Sequence, residues 1–210
     1  CHMPAHEDVK LSSIPRNLPY RSVQQHQFAG ANPQIATIEG HDRGAEIATA
    51  HLRQYVDLRI ESVKRSGDTL RLTVTVESSA GHKFPAGFPS RRAWIHLRVV
   101  DESGSTVFES GAVDETGEIA GRDTPYEQHW TTIESEEQVQ IYQSVMHDVD
   151  GEVTQTLLKA DGYQKDNRIP PQGFEASTAH EDIRPVGAVT EDSSFGNGSD
   201  TITYVVETDA

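Results

Sequence analysis

The spacing of apolar residues changes character near residue 56. Upstream, Ile47, Ala48, His51, Leu52 and Tyr55 recur at intervals of three and four, which predicts a helix opening near Asp42. Just before it, Asn32-Pro33 predicts a shorter helix to Ile38. Asn can cap it, Pro fits the first turn, where no N–H is needed, and Gly40 can end it. Residues 1 to about 34 are broken by Pro4, Pro15, Pro19 and Pro33 and are predicted irregular.

Downstream the interval becomes two. Val56, Leu58 and Ile60 alternate with Asp57, Arg59 and Glu61. After a turn at Arg65-Ser66-Gly67-Asp68, Leu70, Leu72, Val74 and Val76 alternate with Arg71, Thr73 and Thr75. That predicts a hairpin with one buried face. Further strands are expected at Ile95-Leu97-Val99, Val107-Phe108, Val139-Ile141-Val145 and Ile202–Val206, with long connections over 111–137 and 162–199. The expected class is mainly β: an antiparallel β-sandwich, Ig-like or jelly-roll-like, over residues 56–210, preceded by a partly helical arm over 1–55.

Composition narrows the function. The 33 acidic residues against 18 basic give a net charge of −15. A nucleic-acid or anionic-membrane surface needs the opposite sign, so neither is an expected partner. No apolar run reaches the ~18–20 residues of a membrane span. The lone cysteine, Cys1, rules out an internal disulfide. There is no nucleophile elbow, no phosphate-binding Gly-rich loop and no H-E-x-x-H.

The sharpest motif is the opening Cys1-His2. In C-x-x-C-H, two thiols bond haem vinyl groups and the His ligates iron, and these would be the last two residues of such a motif. Cys1-His2-Met3-Pro4, Arg21 and His26-Gln27-Phe28-Ala29-Gly30-Ala31-Asn32 resemble the last haem site of multihaem c-type cytochromes. The resemblance continues through Gly81-His82-Lys83-Phe84-Pro85-Ala86-Gly87-Phe88-Pro89-Ser90-Arg91-Arg92-Ala93-Trp94, Gln140–Met146, Lys165–Phe174 and Gly198–Tyr204. One departure stands: no complete C-x-x-C-H occurs in this chain.

The resemblance implies an exported protein, periplasmic or extracellular, that carries electrons through haem c and works with an upstream multihaem domain and redox partner proteins. Cys1 and His2 would belong to the last haem, with His2 the proximal ligand. His26 would be a distal ligand, against the plain reading of a polar loop residue. His82, on a proline-stiffened loop, would reach a haem of the neighbouring domain or simply bond loop carbonyls, and the loop Gly81 to Arg92 is expected to face that domain. The resemblance also implies further strand after Ile202–Val206, which would leave that strand an unpaired edge prone to self-association. The segment itself is expected to be inert, and the activity of the parent protein is open. The alternative is a non-redox interaction or carbohydrate-binding β-sandwich.

Other titratable residues read more plainly. His51 falls on the helix stripe and reads as a packed core residue. His96 reads as solvated, and His6, His41, His129, His147 and His180 lack ligand spacing. Asp148, Asp150 and Glu152 form a polar hairpin turn rather than a calcium loop, because the closing Glu of the twelve-residue pattern is missing. Asp192 and Asp200, around the Gly196–Gly198 turn, invite the same reading.

Overall fold

The computed structural model describes residues 5–14, 16–24, 30 and 32–208. The chain divides into two compact units, Cys1–Val56 and Asp57–Ala210.

In the first unit, β1 (Ala5–Val9) pairs antiparallel with β2 (Arg21–Gln24), a ribbon in a stretch expected to be irregular. Helix α1 (Pro33–Ile38) starts as its sequence predicts: the Asn32 Oδ1 accepts the Ile35 N–H at 3.1 Å. Gly40 stands at φ +73° between α1 and α2 (Asp42–Tyr55), a conformation that suits glycine. Ala48 and His51, one helical turn apart, are the buried residues of α2.

The second unit is β-rich, built from several small sheets. Strands β3 (Val56–Ser66) and β4 (Thr69–Ser78) form the expected hairpin. Next come β5 (Ala93–Trp94), β6 (Leu97–Val100), β7 (Thr106–Ser110), β8 (Thr132–Ile133), β9 (Ile141–Tyr142), β10 (Ser144–His147), β11 (Val153–Thr154), β12 (Gly162–Asp166) and β13 (Ser199–Glu207). The largest sheet runs β3-β4-β13-β8. A three-stranded sheet runs β11-β10-β12, and β5-β9 and β6-β7 are two-stranded. Strand β13 is antiparallel to β4 over nine residue pairs and parallel to β8 at Thr203 and Tyr204.

The alternation in β4 and β13 decides where the core lies. Leu72, Val74 and Val76 are buried beside Ile202, Tyr204 and Val206, and each such side chain contributes roughly 1.5–3 kcal/mol. The Tyr204 ring meets Phe108 of β7 edge-on at 6.4 Å, joining two sheets. The opposite face carries threonines, with the Thr75 and Thr201 hydroxyls 3.0 Å apart.

Two expectations are corrected here. First, Leu58 and Ile60 do not join the buried face. On this edge strand they stay 53 % and 57 % exposed. Second, Ile202–Val206 is not an unpaired edge. Strand β13 lies inside its sheet, between β4 and β8.

Three hairpin turns share one chemistry. Asp101, Asp114 and Asp148 each accept, through Oδ1, the backbone N–H two and four residues on, at 2.8–3.0 Å. A glycine three residues on, at φ +84° to +86°, donates back to the aspartate carbonyl. Thus Asp148, Asp150 and Glu152 form a turn, as their sequence suggests.

Candidate functional site

Cys1, His2 and His26 lie outside the described residues. His82 is exposed, at the head of the connection from β4 to β5, with Nδ1 3.0 Å from the Lys83 carbonyl. Behind it the loop is braced. Lys83 Nζ donates to Asp166 Oδ2 at 2.6 Å, and Arg168 grips the same fully buried carboxylate through Nε at 2.8 Å and Nη2 at 2.7 Å. Phe84 and Ile169 exchange backbone hydrogen bonds, both 2.8 Å. Arg91 reaches the Ala86 carbonyl, and Phe88 stays 52 % exposed.

The most concentrated polar chemistry lies elsewhere, in the interior. His129, from the 111–131 connection, and Asp200 are buried, Asp192 is half-buried, and one ligand atom from each lies within 4.8 Å of the others. His129 Nε2 is 3.1 Å from Asp192 Oδ2 and 4.0 Å from Asp200 Oδ2. Asp200 Oδ2 accepts from the Tyr142 hydroxyl at 2.8 Å and from Gln140 Nε2 at 3.0 Å.

The backbone fixes the protons of this cluster. Gln140 Oε1 accepts the Trp130 N–H at 2.9 Å, and Asn167 Oδ1 accepts the Gln143 N–H at 2.9 Å. Both amides must therefore turn their NH₂ groups to His129 Nδ1, at 2.9 and 3.1 Å. Nδ1 is then an acceptor and Nε2 carries the hydrogen, which it donates to Asp192. A metal at this spot would need the Nε2 lone pair, which this bonding withholds. The arrangement suits a closed hydrogen-bond network better than a cation.

The electrostatics agree with tight burial. Burial raises the Asp200 carboxyl above the usual range, against the opposing pull of His129 and the Tyr142 hydroxyl. Burial also acts to raise Asp192, but hydrogen bonds from His129 and Ser194 outweigh it and hold that carboxyl low. Tyr142 is pushed well above the usual phenol range by its burial and by the Asp200 carboxylate.

Lys165 of β12 extends the network. It is 2 % exposed, and its Nζ donates to the carbonyls of Glu127 (2.7 Å), Ile141 (2.8 Å) and Gln128 (3.4 Å). Burial pushes it down to about 7, with the Glu127 carboxylate opposing. The buried Glu127 carboxylate accepts the Trp130 indole N–H and the backbone N–H groups of Asp123 and Val139.

Sequence reasoning passed over this region because its members come from distant segments. A signal existed in the alternation. Gln140 and Tyr142 flank Ile141, and Lys165 and Asn167 flank Asp166, yet all are buried. Strands buried on both faces carry their polar residues inward. His51 is buried and His96 is exposed, 2.8 Å from Glu109, both as read from sequence.

No family model, curated protein or solved structure matches this chain.

Proposed function

We propose that this chain is the C-terminal part of an exported multihaem c-type cytochrome that serves electron transfer. Cys1, His2 and His26 would belong to a haem c site, and residues 56–210 would form an antiparallel β-sandwich that docks on the upstream multihaem domain without carrying chemistry itself. One observation carries this reading. The loop from Gly81 to Arg92, within the longest block of resemblance, is anchored from behind by the Lys83–Asp166–Arg168 cluster and the Phe84–Ile169 bridge, while His82 and Phe88 face outward. A rigid loop that exposes an aromatic tip suits a covered surface better than an open one. The buried network around His129 supports a scaffold role, since its polar groups are turned on one another.

The decisive experiment is a pyridine haemochrome spectrum of the intact protein that carries this chain, followed by redox titration of a His26→Met variant. The reading expects covalent haem and one haem potential raised by the new axial ligand. No haem, or haem potentials all unchanged in the variant, would overturn it.

A further inference from the structure

A cleft of about 290 Å³ opens in the second unit between residues 89–92, the 118–127 connection and strands β9 to β11. That volume is at the small end for small-molecule sites. Its wall carries the guanidiniums of Arg92 and Arg122, which are partly exposed, with Glu118 beside them. In a chain of net charge −15, the cleft lining carries two arginines, Arg92 and Arg122, and two acids, Glu118 and Glu127, and so is locally balanced.

We propose that this cleft binds a small oxyanion-bearing molecule, a carboxylate or a phosphate, held between Arg92 and Arg122. Three observations lead there. First, the guanidiniums are only lightly engaged. Arg122 Nη2 reaches Glu118 Oε2 at 3.0 Å, but Arg92 stops 3.9 Å short of the same oxygen, beyond hydrogen-bonding distance. Glu118 is 55 % exposed, so that pairing is weak and displaceable. Second, the other acid of the lining, Glu127, is no competitor, because its carboxylate is spent on Trp130, Asp123 and Val139. Third, Ser144 of β10 lines the cleft with its buried Oγ unpartnered among the described residues. A buried hydroxyl without a partner calls for a reason, and a small adjustment that lets it donate to a bound oxyanion supplies one. Glu118 then acts as an internal stand-in for the ligand: its carboxylate sits where the oxyanion would sit. Planar two-pronged donors of this kind match carboxylate and phosphate geometry.

The test is calorimetric titration of the whole chain at low ionic strength with inorganic phosphate, with succinate and with glucose. Saturable binding of either anion but not of glucose is expected, and which anion binds more tightly identifies the ligand chemistry. Glu118→Gln removes the stand-in and should tighten anion binding, by up to about fivefold. Joint Arg92→Gln and Arg122→Gln should weaken it at least about tenfold. If the double variant fails to fold, Arg92→Gln alone carries this arm, since Arg92 makes no described hydrogen bond. No anion binding, equal binding of glucose, anion binding unchanged or weakened in Glu118→Gln, or undiminished in the arginine variant, would each overturn the proposal.

Discussion

Arg59 and Lys165 are both basic side chains on β-strands, and they show how little a charge says without its surroundings. Arg59 on β3 touches three acids, Asp57 at 2.8 Å, Glu77 at 2.8 Å and Glu61 at 3.3 Å, yet all four side chains are about half exposed. Water already solvates every member, so their mutual attraction changes little on folding. Lys165 forms no ion pair among the described residues, only bonds to carbonyls, but it is sealed inside. There, each donor and acceptor has lost its water and depends on its partner. The number of charged contacts is therefore a poor guide to value in this molecule, and burial is a good one.

The sharpest way to break that contrast is at Asp166, fully buried between Lys83 and Arg168. Asp166→Ala strands two cations, and the expected loss is about 3–5 kcal/mol by chemical denaturation. A loss no larger than that of a surface substitution would refute the ranking.

Lys165→Met comes next. It keeps much of the volume and removes the amine, which takes the donor from the Glu127 carbonyl at about 1–3 kcal/mol, while the Ile141 carbonyl keeps Asn167 Nδ2 at 2.9 Å. The variant also sharpens the electrostatic argument. Burial holds Lys165 at about 7 in the folded chain, against an ordinary lysine value of 10.5. Between those values the unfolded chain holds a proton that the folded chain lacks, so this residue makes stability rise with pH across the window. Unfolding midpoints measured near pH 7 and near pH 10 should show a smaller rise in the variant than in the parent.

A quieter consequence concerns His129. Long-range ¹H–¹⁵N NMR should find its hydrogen on Nε2, and added Zn²⁺ should leave that signal in place. A hydrogen on Nδ1 would mean that Gln140 and Asn167 are turned the other way. Smallest of all is Arg59→Ala, which should barely move the melting temperature despite removing three ion pairs.

Much of the fold could be read from the chain. The cap at Asn32, the stripe of α2 and the alternation of β4 and β13 all reflect neighbours close in sequence or a face with one clear covering. The failure at Leu58 and Ile60 has a definite cause: period two separates the faces of a strand but does not say whether either face of an edge strand is covered. The interior network was illegible for a different reason. His129, Gln140, Asn167, Asp192 and Asp200 are brought together by pairings across tens of residues, and no local spacing encodes that. Asp192 and Asp200 looked like turn residues; Asp192 does receive the Ser194 N–H, and it serves the interior as well.

Glu127, Gln140 and Asn167 have a consequence for how this protein opens. The amides of Asp123, Trp130, Val139 and Gln143 donate to these buried side chains rather than to a neighbouring strand. Much of the 111–140 stretch has no regular structure, yet its Trp130 and Val139 N–H groups are held by the buried Gln140 and Glu127 side chains. Amide exchange there should run at the slow rate of β4 and β13, and a protease should find few cuts between residues 123 and 140. A segment that looks like loose connection is thereby part of the last unit to come apart.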